Sequence, residues 1–112
     1  MEITRNMLKA RFAEYNRLYF EGKLATPNFY FLMCKRPFGR CIPYKKNGKK
    51  VVEIWISKHI KTEDFLKNVL IHEMVHQYVY EVLHGCRYII IQHGIRFHYI
   101  RWRLIRKYGL EI

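Results

Sequence analysis

The segment from His72 to His76 constrains this chain most, because its two histidines are four residues apart and Glu73 directly follows the first. Residues four apart lie on one face of an α-helix, about 5–6 Å from each other, so both imidazoles can reach one cation. Neutral imidazole binds Zn²⁺ well, and a glutamate beside the open side of the metal can accept a proton from bound water. The segment therefore predicts a helix with His72 and His76 as zinc ligands and Glu73 as general base.

The sequence around this segment also favours a helix, from about residue 63 to residue 83. Thr62 is a suitable N-cap, and Glu63 and Asp64 fall in the first turn, where the helix dipole favours acidic side chains. Apolar side chains on both sides of the histidines can hold the helix against a core: Phe65, Leu66, Val69, Leu70 and Val79.

A hydrolytic zinc site has three protein ligands and one open position for water, so a third ligand is needed. The short-spacer metzincin pattern requires Gly and His where this chain has Val79 and Val82, which excludes that pattern. Two acidic candidates are weak. Glu81 is only five residues past His76 and turned off the ligand face, and Glu111 is next to the C-terminus.

Three downstream histidines are better candidates for the third ligand. His84 lies at the end of the motif helix, and His98 lies inside a last helix. His93 precedes Gly94 at the entry to that helix, where a junction can turn the imidazole toward the metal and glycine permits close backbone approach. We therefore favour His93, followed by His98 and then His84. His59, ahead of the motif helix, is expected at the surface or in contact with one of the residues that bind the metal.

Two further helices are predicted, one near each end of the chain. The first covers residues 4–21, with Thr4 as N-cap and Gly22 as its end. Its apolar face consists of Leu8, Phe12, Tyr15 and Tyr19. The last helix covers residues 95–108 and ends at Gly109. Its predicted core face consists of Phe97, Ile100, Leu104 and Tyr108.

A small three-stranded sheet is predicted between the first helix and the motif helix. Residues 28–34 are apolar on both faces, which is typical of a buried strand. Asn47-Gly48 is a strong type I′ turn signal and joins strands 40–46 and 49–57. Pro43 lacks an N–H, so the first of these two strands is expected to be an edge strand or a short strand. The order helix, three strands, helix, helix predicts a single α+β domain over residues 1–112.

Charge is the outlier in the composition. The chain has 21 Lys and Arg against 9 Asp and Glu, a net charge of +12, which favours a polyanionic partner such as DNA. Most of this charge falls in residues 35–61 and 87–112. Candidate contacts to nucleic acid are Lys45, Lys46, Lys49, Lys50, Arg96, Arg103 and Lys107. For the lysines, simple solubility is an equal alternative. For Tyr44, Trp55 and Trp102, packing in the core is favoured over stacking on bases.

The cysteine count and the hydropathy pattern indicate where the chain functions. Cys34, Cys41 and Cys86 form no C-x-x-C pair, so each is expected as a small buried apolar residue rather than in a disulfide or a cysteine zinc site. No apolar run approaches the ~20 residues of a membrane span, and the N-terminus has no apolar signal region. We expect a cytoplasmic monomer without a membrane partner.

Three ordered blocks resemble the SprT-like zinc metallopeptidases, which include the Spartan-type DNA–protein crosslink proteases. Gly39-Arg40-Cys41 is also similar to the family's strand segment before the hairpin. The resemblance covers about residues 8–105. Its three blocks are Phe12-x-x-x-Asn16-x-x-Tyr19-Phe20-x-Gly22-x-Leu24, then His72-Glu73-Met74-Val75-His76, then His93-Gly94-x-x-Phe97.

The resemblance implies a minimal zincin fold, zinc ligands His72, His76 and His93, and Glu73 as general base. It also implies hydrolysis of peptide bonds in DNA-associated proteins, with single-stranded DNA or DNA–protein complexes as partners. The zinc ribbon and regulatory extensions of many members are not in this sequence. Two alternatives remain open: a zinc peptidase with a dedicated protein substrate such as a repressor, and a basic nucleic-acid-binding module with structural zinc. Glu73 argues against the latter, because a structural site needs no base.

Overall fold

Three helices and one three-stranded sheet make up the computed structural model, which describes residues 1–83 and 94–112. The α+β class predicted from the sequence is confirmed. The connection around residues 85–92, and with it His84, Cys86 and His93, lies outside the described residues. In chain order the elements are α1 (Arg5–Tyr19), β1 (Asn28–Leu32), β2 (Gly39–Lys46), β3 (Lys49–Ser57), α2 (Glu63–Glu81) and α3 (Ile95–Tyr108).

The helices begin and end close to where their capping residues predict. The Thr4 hydroxyl accepts a hydrogen bond from the Met7 N–H at 3.1 Å, and the Thr62 hydroxyl accepts one from the Phe65 N–H at 3.2 Å. Gly109 ends α3 in the left-handed conformation, with φ of 69°. α2 ends at Glu81, two residues earlier than predicted.

The loop after α1 is held by the side chain of Asn16. Its amide nitrogen donates to the Leu24 carbonyl at 2.9 Å, and its amide oxygen accepts from the Leu24 N–H at 3.2 Å. The N–H of Gly22, which has φ of 69°, donates to the Asn16 carbonyl at 2.9 Å. The spacing of these three residues in the first block thus has a structural explanation, because one side chain ties the end of α1 to the loop.

The sheet has the order β1-β3-β2, with β1 parallel and β2 antiparallel to β3. Asn47 and Gly48 both have positive φ, 53° and 77°, which is the type I′ geometry predicted for this turn. β2 lies at the sheet edge, as Pro43 predicts. Of the three strands, β2 also packs most closely against α2, which places β2 beside the histidines.

The core lies between one face of the sheet and the helices. Val52, Ile54 and Ile56 of β3 are buried and alternate with half-buried neighbours. The prediction that β1 is buried on both faces is wrong. Phe29 is buried, but Tyr30 is 36% exposed and stacks on Trp55 with ring centres 4.8 Å apart. The helices cover one face only, so the alternate residues of β1 stay at the surface.

Two other sequence predictions about side-chain position are corrected. Cys34 is exposed and Cys41 is half-buried, because Cys34 follows the end of β1 while Cys41 lies on the core side of the edge strand. Tyr108 is 38% exposed rather than in the core, and its ring packs edge-on against Tyr19 at 4.9 Å. No helix among residues 1–83 and 94–112 is both long and apolar enough to cross a membrane.

Candidate metal centre and active site

α2 places the two histidines of the motif side by side. The rings of His72 and His76 have centres 5.4 Å apart, and both residues are half-buried. They lie one helical turn apart, while Leu70, Ile71 and Val75 of the same helix are fully buried. The arrangement brings two imidazoles within reach of one cation.

Open space adjoins this histidine pair. A cavity of about 340 Å³ is lined by residues of α2, of β2 and of the loop before β2: Pro37, Gly39, Arg40, Cys41, His72, Glu73 and His76. A second cavity of about 310 Å³ shares Gly39, His72 and Glu73 with the first. Since a water occupies about 30 Å³ of liquid, the space can hold a cation, water and part of a substrate.

The carboxyl group of Glu73 is buried beside the histidines. The residue is 6% exposed, and burial raises the pKa of Glu73 to about 8. A bound cation favours the ionised form of a neighbouring carboxyl group and therefore opposes this effect of burial. A buried carboxylate next to a cation is suited to proton transfer at neutral pH.

Gly39 allows β2 to pass close to α2 at this carboxyl group. A Cβ at this position would lie 2.9 Å from Oε2 of Glu73 and 2.8 Å from Cγ1 of Val69, and both distances are too short for ordinary contact. Glycine is therefore required by space rather than by its backbone angles. Sequence reasoning noticed Gly39 only as part of the segment before the hairpin and missed this role.

Phe97 of α3 packs on both imidazoles. Its ring centre is 4.2 Å from that of His76 and 5.0 Å from that of His72, and the side chain is 2% exposed. The sequence placed Phe97 in the core and in the third block without relating it to the histidines. The structure adds that this buried ring limits the orientations available to the two imidazoles.

His72 has a further contact on its other side. Its Nδ1 lies 3.3 Å from the main-chain oxygen of Ile112. A main-chain oxygen accepts, so this contact favours the tautomer with the proton on Nδ1, in which Nε2 carries the lone pair that a cation would bind. Together with the Phe97 packing, the contact fits the donor chemistry of a zinc ligand.

The described residues bring no third ligand to the histidine pair. His93 and His84 lie outside them, and within residues 1–83 and 94–112 no group of three or more His, Cys, Asp or Glu side chains could hold a metal. The ring of His98 lies 5.8 Å from that of Phe97, and the residue is exposed. The assignment of His93 as third ligand therefore stays a prediction.

The remaining candidates for the site have other contacts. Oε1 of Glu81 accepts from the Ala25 N–H at 3.2 Å and from the Gln77 amide at 3.1 Å, so this carboxylate ties α2 to the loop after α1. Glu111 is exposed, although it lines the second cavity. His59 is exposed, as expected, and its Nε2 lies 2.8 Å from the Met33 carbonyl oxygen.

The lysines of the hairpin tip divide into two kinds. Lys45, Lys46 and Lys49 are exposed. Lys50 is half-buried, and its ammonium donates to the Tyr80 carbonyl at 2.9 Å and lies 5.0 Å from the Tyr80 ring centre. Three of the four predicted nucleic-acid contacts are thus available at the surface, whereas Lys50 joins the hairpin to α2.

The three predicted nucleic-acid contacts on α3, Arg96, Arg103 and Lys107, are exposed, and each contacts a neighbour. Arg96 donates to the Leu83 carbonyl at 3.2 Å, whereas Arg103 and Lys107 lie over tyrosine rings. The expectation that Trp102 packs in the core is wrong, because it is 53% exposed on the side of α3 away from the core. Trp55 and Tyr44 are half-buried on the outer face of the sheet.

Fold and site together define a small α+β domain with an H-E-x-x-H helix that faces a cavity. The family model for the SprT-like family matches residues 8–110, and the chain belongs to this family. The family is associated with zinc metalloprotease activity. No curated protein and no solved structure matches the chain significantly.

Proposed function

We propose that this chain is a zinc-dependent metalloendopeptidase of SprT-like type that hydrolyses peptide bonds in DNA-associated proteins. The observation that carries the proposal is the pair formed by His72 and His76, whose rings face a cavity next to the buried carboxyl group of Glu73. A structural zinc site has no use for such a carboxyl group, whereas a hydrolytic site needs a base.

His72, His76 and His93 would hold the zinc ion. Zinc, when bound, polarises the scissile carbonyl and lowers the pKa of water toward ~7. Glu73 accepts the proton of the attacking water and then donates it to the nitrogen of the leaving amine. Phe97 and the main-chain oxygen of Ile112 hold the imidazoles in position during these steps.

The unpaired edge of β2 supports the proposal that the substrate is a peptide. β2 lines the cavity through Gly39, Arg40 and Cys41, and within the described part of the chain no strand pairs with its outer side. An extended peptide can add to such an edge by main-chain hydrogen bonds that do not depend on its sequence. A peptide aligned in this way would pass the histidines without needing a free terminus, which suits an endopeptidase.

Charge supports the DNA-associated class of substrate. The net charge of +12 and the exposed lysines at the hairpin tip favour a polyanion. In the alternative function, a peptidase with a dedicated protein substrate such as a repressor, this charge is incidental. DNA then neither binds strongly nor changes the rate, and the salt dependence of DNA binding separates the two.

A cleavage assay with a DNA-binding protein as substrate tests the proposal. Parent protein, Glu73→Gln and chelator-treated parent are compared with and without single-stranded DNA, and zinc content is measured for each. We expect cleavage by the parent only, zinc in both untreated proteins, and faster cleavage with DNA. Cleavage by Glu73→Gln at the parent's rate would contradict the enzyme proposal. Cleavage that is indifferent to DNA would favour the dedicated-substrate alternative.

A further inference from the structure

The solvent-facing side of α3 presents aromatic rings paired with arginines. Tyr99 and Trp102 are 54% and 53% exposed. Four residues beyond each ring an arginine lies against it: the Arg103 guanidinium is 5.7 Å from the Tyr99 ring centre, and that of Arg106 is 5.1 Å from the Trp102 ring centre. We refer to these four residues as the α3 stripe.

The α3 stripe contributes nothing to the core. The opposite face of α3 already packs inward through Phe97, Ile100 and Leu104, which are at most 6% exposed. Large aromatic rings left at the surface of a helix with its own complete core face typically belong to an interaction surface. Ile95, at 89% exposed, extends the apolar part of this face by one turn toward the start of the helix.

The charge of α3 indicates the sign of the charge that a partner would carry. The helix has five cationic side chains and no acidic one: Arg96, Arg101, Arg103, Arg106 and Lys107. Glu21 lines a shallow groove with Arg103 and Lys107, and its carboxylate is itself 3.7 Å from the Lys23 ammonium. The partner that complements this helix is a polyanion.

We propose that the α3 stripe binds single-stranded nucleic acid, with Tyr99 and Trp102 stacking on unpaired bases and Arg103 and Arg106 contacting phosphates. A duplex offers no free base faces for these rings, so a single strand is preferred. The inference deepens the proposed function, because it names a surface and a partner for the DNA-associated substrates. Its test measures binding rather than cleavage, so either proposal can fail alone.

An anionic lipid surface fits the α3 stripe less well. Helices that lie in a membrane interface insert a continuous apolar face, whereas the exposed rings of the α3 stripe alternate with arginines and the continuous apolar face of α3 is buried in the core. A second copy of the chain would bring two strongly cationic surfaces together, which like-charge repulsion opposes. Rings alternating with arginines are instead typical of surfaces that bind single strands.

Substitutions at Trp102 test the stacking contact, with a fluorescently labelled oligothymidylate as probe and anisotropy as readout. Trp102→Leu keeps apolar area but removes the π-face, so we expect a Kd about 5- to 150-fold higher. Trp102→Phe keeps a ring and should stay close to the parent. Thermal midpoints of both variants should match the parent because the side chain is half exposed. Equal Kd values for Trp102→Leu and the parent would overturn the proposal.

Substitutions of arginine test the phosphate contact. Arg106→Gln should lower the slope of log Kd against log salt by about 0.7. Arg17→Gln, which removes the same charge from an exposed position on α1, is the matched control and should leave the slope nearly unchanged. Equal slopes for the two variants would contradict the role of Arg106.

Two further probes separate the possible partners. A duplex of the same length should bind more weakly than the single strand, and phosphatidylserine vesicles should bind without sensitivity to Trp102→Leu. Tighter binding of the duplex than of the single strand, or vesicle binding that is lost in Trp102→Leu while oligothymidylate binding is not, would overturn the assignment.

Discussion

Gly39 and Glu73 are so close that a single added methyl group cannot fit between them: a Cβ on Gly39 would lie 2.9 Å from the Glu73 carboxylate oxygen. The contact joins the edge strand to the centre of α2. It means that the position of the proposed base depends on a strand remote in sequence, and that the backbone of β2 and the carboxyl group form one wall of the cavity.

We expect Gly39→Ala to lower the cleavage rate much more than the stability of the fold. The methyl group must displace Glu73 or Val69, which costs about 1–3 kcal/mol of unfolding free energy and moves the carboxylate from its working position. Denaturant unfolding and the cleavage rate with bound zinc measure the two effects. Gly48→Ala is the control. At φ of 77° with no atom within 4 Å, it should lose about 1 kcal/mol and keep its activity.

The buried carboxyl group makes the stability of the zinc-free protein depend on pH. The folded-state pKa of Glu73 is about 8, against an ordinary value of 4.5. Between these values the folded state binds a proton that the unfolded state lacks, so stability falls as pH rises through this range. We expect Glu73→Gln in chelator to unfold at a temperature higher by roughly 5 °C or more near pH 8 and similar to the parent near pH 5.

Glu63 is a control for this measurement, because its pKa is shifted in the direction opposite to that of Glu73. Its carboxylate is 2.8 Å from the Arg11 guanidinium, and this hydrogen bond lowers the pKa of Glu63. Its stabilisation is therefore present above the ordinary carboxyl pKa and lost as pH falls below it. Glu63→Gln should be slightly less stable than the parent near neutral pH, since the pair is exposed, and should not gain stability near pH 8.

Phe97→Leu is expected to weaken zinc binding by about 10- to 100-fold, because groups that orient metal ligands typically contribute that much affinity. The ring packs 4.2 Å from the His76 ring, and leucine would hold that imidazole less firmly in its orientation. Competition with a metal indicator dye measures the affinity. Phe12→Leu is the matched control, since Phe12 is as deeply buried but packs on Phe29, and its zinc affinity should equal the parent's.

Asn16→Ala should lower the unfolding free energy by about 1–3 kcal/mol, because it leaves the N–H and carbonyl of Leu24 without their partner. Asn6, which is exposed on the same helix, supplies the control, and Asn6→Ala should change stability by less than about 0.5 kcal/mol. Urea titration of the two variants and the parent measures these changes in unfolding free energy. Equal losses would mean that the bonds to Leu24 contribute nothing beyond a surface amide.

The order of helices and strands followed from local signals. Thr4, Thr62, Asn47-Gly48 and Gly109 each act on the backbone within a few residues, and the structure has them where those signals place them. The placement of His72 and His76 on one face needed only the helical period. Such features are set by short-range geometry and can therefore be inferred from one sequence.

Features that depend on which faces are covered could not be inferred in this way. The apolar composition of residues 28–34 fits a strand covered on both sides, and only the arrangement of the helices leaves Tyr30 at the surface. In the same way, only the packing of α3 against the core shows that Trp102 is exposed. The contacts of Gly39 and Phe97 with the motif join residues more than 20 positions apart, and no periodicity in the sequence reports such distances.

The strand order also sets how different parts of the sheet respond to opening fluctuations. β3 is paired on both sides and has its inner residues buried, whereas β2 has a partner on one side only among the described strands. In amide hydrogen exchange, β3 should therefore retain its protons longest and β2 should lose them earlier. The wall of the cavity is therefore expected to fluctuate more than the middle of the sheet.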